Sequence, residues 1–298
     1  MNLDAELSAL AAQEDLPSDL VWRLLRHPVA RRSVALRRRD LTEELIEEII
    51  KLGSARSLAA NTSVPAHVRA RLAEHPESSV RCGVAASVAD EPPGLLARLV
   101  DDPDPSVRSF LAMNDRLSPE LLARLASDPE PSVRSSIIQH WRDAPDWVRR
   151  ALLTDTDPNV RRDSVSAYSP PADLLPGLLA DPVTRAAAVP YTAPSLELAT
   201  DPDSAVREAT AAHPDLPTGL CDLLAEDPDI FVRNGIAARP DAPLALRERI
   251  VASLETDSPL AEWILSSRRN PHTCPSPAPV PPILTREQAE VLLARADL

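Results

Sequence analysis

Apolar positions along the chain fall into short stripes. Leu3, Leu7 and Leu10 stand at i, i+4 and i+7 and predict a short N-terminal helix. Leu121, Leu122 and Leu125 form a three-to-four-spaced face that predicts another helix, as do Leu174, Leu175, Leu178 and Leu179, and Leu220, Leu223 and Leu224. Ahead of the Leu121 face, Val107, Leu111 and Ala112 form a narrower stripe that should also turn inward. Polar phrases and prolines punctuate these stripes, so the pattern predicts many short helices and no sheet.

One polar phrase recurs. It reads Asp102-Pro103-Asp104-Pro105-Ser106-Val107-Arg108 and returns in altered form ending at Arg134, Arg161, Arg207 and Arg233. Aligned on the last residue, the series is Arg31, Arg56, Arg81, Arg108, Arg134, Arg161, Arg185, Arg207 and Arg233, with steps of about 22 to 27 residues, near the short end of repeat periods. Four residues after each Arg comes an apolar residue: Ala35, Ala60, Ala85, Ala112, Ile138, Val165, Val189, Ala211 and Ala237. A second Pro follows at 119, 145, 171, 217 and 243, and Ser118-Pro119 reads as a helix N-cap with Pro at the first helical position. Each unit is therefore expected to hold a short helix, in part 3₁₀, and then a longer Leu-faced helix. A unit of this size cannot bury its own apolar face, whereas stacked units can.

The expected organisation is an N-terminal cap helix in 1–20, a repeat array in 21–270, a Pro-rich linker in 271–283 and a C-terminal helix in 284–298. Between Arg161 and Arg207 the steps shrink and prolines accumulate, and Asp257-Ser258-Pro259 begins a degenerate last unit containing Trp263. In the last segment Thr285 and Gln288 have capping-box spacing, and Ala289, Leu292, Leu293 and Ala296 share a helix face.

Composition agrees with helix. Hydrophobic residues make up 44% of the 298 positions, which is ample for a core, while aromatics supply 3%. There are 32 Pro and 6 Gly, and Lys51 is the sole lysine, a bias that points to a GC-rich, bacterial type of genome. The net charge of −13 opposes non-specific binding to nucleic acid. No basic leader precedes an apolar run and no stretch of roughly 20 apolar residues occurs, so a cytoplasmic protein without membrane spans is expected.

The unit Asp-Pro-Asp-x-x-Val-Arg-x-x-x-Ala, followed by Pro-x-x-Leu-Leu-x-x-Leu-Ala, resembles the leucine-rich repeat variant (LRV) family and its HEAT-like relatives. The resemblance spans about residues 20 to 265 and is strongest in 99–140 and 200–240. It implies an all-α fold: a right-handed α-solenoid of about nine or ten repeats of ~22–28 residues, with short 3₁₀ helices alternating with α-helices. It also implies a structural ladder between neighbouring repeats from Asp102 and Arg108, Asp128 and Arg134, Asp155 and Arg161, Asp201 and Arg207, and Asp227 and Arg233. His27 and His75 stand near or in the Asp slot of early units and depart from that pattern.

The candidate chemistry is sparse. Cys82, Cys221 and Cys274 are isolated and cannot form the four-thiolate cluster carried by one LRV branch. The six His have no metal-ligand spacing, and no phosphate loop or nucleophile elbow occurs. No cofactor, no metal and no catalytic residue is therefore expected, although HEAT-like relatives include DNA glycosylases and bilin lyases. Two departures from the repeat stand out as binding candidates. His140, Trp141, Arg142 and Trp147 interrupt the units with two Trp, a residue type dominant in interface hot spots. Arg37, Arg38 and Arg39, with Arg23, Arg26, Arg31 and Arg32 nearby, form a basic patch on an acidic chain. The expected function is a non-catalytic scaffold that binds a partner protein along a curved face. The alternative is a nucleic-acid-associated protein, base-processing among the options, that uses the Arg-rich patch.

Overall fold

Each recurrence of the Asp-Pro phrase in which the residue four before Arg is Asp starts an α-helix by the same local device. The Asp104 carboxylate accepts the Ser106 N–H at 2.8 Å, and Pro105 fills the first helical position, where no N–H is needed. Asp157, Asp203 and Asp229 cap in the same way, onto Asn159, Ala205 and Phe231. In a computed structural model that describes residues 2–87, 94–254 and 283–298, these starts are parts of an all-helical chain.

In chain order the α-helices are α1 (Leu3–Ala11), α2 (Ser18–Leu24), α3 (Pro28–Arg37), α4 (Glu43–Lys51), α5 (Ala55–Ala59), α6 (Ala66–Leu72) and α7 (Ser78–Ala86). Then come α8 (Leu95–Leu99), α9 (Pro105–Ala112), α10 (Pro119–Leu125), α11 (Pro131–His140), α12 (Asp146–Leu153), α13 (Pro158–Ala167) and α14 (Leu175–Ala180). The last are α15 (Arg185–Ala188), α16 (Leu196–Ala199), α17 (Ser204–Ala211), α18 (Thr218–Ala225), α19 (Ile230–Ala238), α20 (Leu244–Leu254) and α21 (Arg286–Arg295). One 3₁₀ turn, Val189–Tyr191, completes the set, and there is no strand among the described residues.

The chain divides into two compact units, Met1–Trp141 with Ala278–Leu298, and Arg142–Pro277. In the first, α1, α3, α5, α7, α9 and α11 form a row in which each packs on the next, and α2, α4, α6, α8 and α10 pack beside them. Helix α21 packs on α1 and α2, burying Ala289, Leu292 and Leu293. Its capping box is formed, with the Thr285 hydroxyl accepting the Gln288 N–H and the Gln288 side chain accepting the Thr285 N–H. In the second unit α13, α15, α17, α19 and α20 form a similar row, around a core that includes Ala211, Leu224, Val232 and Ile236.

Small residues set how closely the rows pack. A Cβ on Gly83 would lie 2.9 Å from Ala59 Cβ and 3.1 Å from the Arg56 carbonyl oxygen, so α5 and α7 approach at a distance only glycine allows. In α19, Gly235 faces Ala211 less tightly, at 3.3 Å.

The structure corrects the expected units in three places. The helices that carry the phrase are α-helices of eight to ten residues in α9, α11 and α13, at least as long as the seven, eight and six of α10, α12 and α14. Asp or Glu before an N1 proline starts the phrase helices well, and 3₁₀ geometry is confined to Val189–Tyr191 among the described residues. Second, Ala60 is exposed and Ala59 is buried instead, while the other eight residues at Arg+4 are buried. In α5 the register position of the repeated Arg belongs to Ala55, and Arg56 points to solvent. Third, Leu223 is 43% exposed, and Cys221 takes the inward position on α18. The expected Pro-rich linker, apart from Ile283, and the unit with Asp257 and Trp263 lie outside the described residues.

Candidate functional site

The repeated Arg has a fixed set of partners. In the first unit Arg108 Nε and Nη2 donate to the two carboxylate oxygens of Asp128 at 2.6 and 2.9 Å, while Nη1 donates to the Asp102 carbonyl at 2.6 Å. Arg81 forks onto Asp102 in the same way, at 2.7 and 2.9 Å. In the second unit Arg207 forks onto Asp227 at 2.7 and 3.0 Å, and Arg161 pairs with Asp181. The residue six before each Arg, Asp in all but Arg81, thus supplies a carbonyl, and the carboxylate comes from the next unit. A bidentate fork of this kind is directional and charge-assisted.

The carboxylate is itself held by its own turn. Asp102, Asp128, Asp181, Asp201 and Asp227 each accept the backbone N–H two residues on, at 2.8 to 3.0 Å. Arg185, in the compressed segment, makes a poorer rung: its Nε is turned to the Leu179 carbonyl, and a single Nη1 contact reaches Asp201 at 3.1 Å. Arg134 is 9% exposed and donates to the Asp128 and Pro129 carbonyls. Arg233 does the same toward Asp227 and Pro228.

The two early departures stand in different places: His27 is the N-cap residue of α3, four before Arg31, and makes no side-chain cap bond, whereas His75 lies six before Arg81. His75 stands in the Asp slot, where its ring Nδ1 accepts the Glu77 N–H and its carbonyl accepts from Arg81, which keeps the turn without a carboxylate. Twenty residues earlier, at the position of the Arg that would use that carboxylate, stands Ala55. Arg and Asp are thus absent together from that rung, which avoids a buried unpaired charge. Arg31 keeps its carbonyl partner, Leu25, and turns Nε to the Ser54 hydroxyl.

A second row of polar groups, not anticipated from the sequence, tethers helix ends. Asn61 donates to the Ala35 and Arg38 carbonyls, Asn114 to Ala85 and Ser87, and Arg239 to Ala211 and His213. Tyr191 donates to Val165 in the same manner. These residues lie six positions after the repeated Arg or its Ala55 substitute. Each supplies a donor to the carbonyls that end the previous phrase helix.

The predicted binding residues divide. Arg38 leaves the basic patch, because it is 2% exposed and donates to the Gln13 and Glu14 carbonyls and to Asp40. Arg23 is held by the Leu298 carbonyl oxygen at 2.5 Å. Arg37 and Arg39 are exposed, and Arg39 lies 3.7 Å from Glu14. Arg37 lines a groove of about 710 Å³ with Ala5, Ala9, Ala12, Ile283 and Leu284, beside the acids Glu14 and Asp15. At the end of α11, His140 is exposed with Nδ1 2.9 Å from the Ser136 carbonyl oxygen, and Trp141 is half-buried. In the second unit Arg142 is exposed and Trp147 is 59% exposed, well above Trp22 at 41%.

Burial pushes the Cys82 and Cys221 thiols above their ordinary range, which disfavours the nucleophilic thiolate. Among the described residues no group of three or more His, Cys, Asp or Glu is placed to hold a metal ion, and no helix is long and apolar enough to cross a membrane.

Rung carboxylates give stability a sign with pH. Burial raises the Asp227 carboxyl, but the Arg207 fork and the Asp229 N–H outweigh it and leave the group below its ordinary value. Asp181 is also lowered, first by the Val183 N–H and also by Arg161, against burial. A lowered carboxylate contributes stability above its unfolded pKa and loses it as pH falls through the folded value. The urea midpoint should therefore fall steeply below about pH 4, and Asp227→Asn should flatten that part of the curve. An unchanged slope in the variant would remove Asp227 from the acid transition.

No family model matches the chain, and no curated protein matches it.

Proposed function

We propose that the chain is a non-catalytic α-solenoid scaffold of the LRV or HEAT-like type that binds another protein. The arrangement of the second unit supports this reading most directly: Arg161, Arg185 and Arg207 are engaged in rungs, while Trp147 projects from α12 with 59% of its surface exposed. Large exposed aromatics beside arginines make interface anchors, and Arg142 and Arg150 lie close in sequence. Arg150 is pre-positioned by Asp146 and Asp173, at 2.8 and 2.7 Å.

A pull-down from the native cell with the full chain and with Trp147→Ala tests the proposal. A protein retained by the natural chain and lost by the variant, whose melting temperature is unchanged, is the expected result. Equal retention by both, or salt-dependent retention of DNA by the natural chain in place of a protein, contradicts it.

A further inference from the structure

Among the described residues, the last arginine in the second unit's row, Arg233, has no acid opposite it. Arg233 is oriented as Arg207 is, with Nη1 donating to the carbonyl six residues back at 2.6 Å and to the following proline carbonyl at 3.0 Å. In Arg207 the remaining edge, Nε and Nη2, grips Asp227, twenty residues on. Twenty residues after Arg233 stands Ser253, on α20, the eleven-residue helix that continues through the position where other units place the Asp-Pro turn. The Ser253 hydroxyl donates to the Ile250 carbonyl at 2.7 Å. Arg233 Nε is buried and has no hydrogen-bond partner among the described residues.

Arg233 lines a cavity of about 290 Å³ with Asp227, Arg249, Ile250 and Ser253. The equivalent cavity in the first unit, about 340 Å³, is lined by Arg81, Arg98, Leu99 and Asp102, in the same order. There the acid is present and Arg81 is paired. Among the described residues, the two acids beside Arg233 are engaged elsewhere: Asp227 is held by Arg207, and Glu226 pairs with Arg249 at 2.9 Å. Asp229 caps α19 nearby, but Asp104 and Asp203 occupy the same place beside Arg108 and Arg207, and both of those arginines still hold carboxylates.

We infer that Arg233 is a carboxylate-recognition site for a partner protein that presents an aspartate in an Asp-Pro turn. The filled rungs define that ligand. Each carboxylate that enters a fork is also fixed by the N–H two residues on, so the turn presents both oxygens together. The partner's aspartate then completes a rung at which Ser253 is the facing residue among those described. The site is separate from Trp147, and either assignment stands without the other.

Isothermal titration of the full chain with a peptide of residues 125–133, which carries the Asp128-Pro129 turn, tests the inference at low salt. The peptide should bind, and its Asp128→Asn form should bind about tenfold or more weakly, as expected for loss of a charge-assisted fork. Ser253→Asp in the full chain should supply the acid internally, weaken the peptide by a similar factor and raise the melting temperature. Arg233→Gln should also abolish binding, and Ser253→Asp keeps the test decisive should that variant fold poorly. Equal binding of the two peptides, no binding, or unchanged binding in Ser253→Asp overturns the inference. So does binding seen only after Asp257→Asn, which would assign the edge to the chain's own acid.

Discussion

Replacing Arg108 by Ala should destabilise the protein by about 3–5 kcal/mol, the range for removing one partner of a shielded pair. The two side chains are only 12% and 6% exposed, so water cannot solvate what is left. The variant strands the Asp128 carboxylate and also takes a donor from the Asp102 carbonyl. For a unit of this size the loss corresponds to a fall of roughly 6–20 °C in melting temperature. Arg124 provides the contrast. It pairs with Asp101 between α8 and α10, but the side chains are 48% and 66% exposed. Arg124→Ala should therefore cost about 1 kcal/mol or less. Thermal melts of the two variants measured together decide the matter, and equal losses would mean that the phrase is no more structural than a surface ion pair.

Leu293→Ala should have the next largest effect, about 2–5 kcal/mol, if α21 is held by its apolar face. Leu293 is fully buried and Leu292 is 4% exposed, on a helix that covers α1 and α2. The polar ties at the same contact are exposed: Arg295 with Glu6 at 2.8 Å and Arg286 with Asp19 at 2.7 Å. Arg295→Ala should thus change stability by about 1 kcal/mol or less. Hydrogen exchange of the 286–295 amides, with urea unfolding, checks both. Fast exchange in the Arg variant and native protection in Leu293→Ala would reverse the assignment.

Much of the helical order could be read from residue type and spacing. Asp at the cap and Pro at N1 announce the start of α9, and Val107, Leu111 and Ala112 announce its buried face. Register was readable wherever the Arg was present and failed at α5, where Ala55 fills its place and the neighbouring Arg56 imitates it. Helix length was less readable, because neighbours in the row, as much as propensity, stabilise a short helix. Burial of Arg38 could not be seen in the triplet Arg37-Arg38-Arg39, since identical side chains differ only in where the end of α3 aims them. The polar residues six positions after the repeated Arg were legible in principle. Those that make the tie vary among Ser, Asn, Tyr and Arg, and only their shared carbonyl partners reveal the common role. The unpaired Nε of Arg233 required both the register and the length of α20.

The repeated Arg joins one unit to the carboxylate of the next, as Arg108 does to Asp128. A double-mutant cycle on Arg108 and Asp128 measures it most directly, from urea unfolding of the natural chain, Arg108→Ala, Asp128→Asn and the double variant. The double variant should lose less than the two single losses added, by about 0.5–3 kcal/mol, because each single change already breaks the same fork. Additive losses, with a coupling indistinguishable from zero, would contradict it.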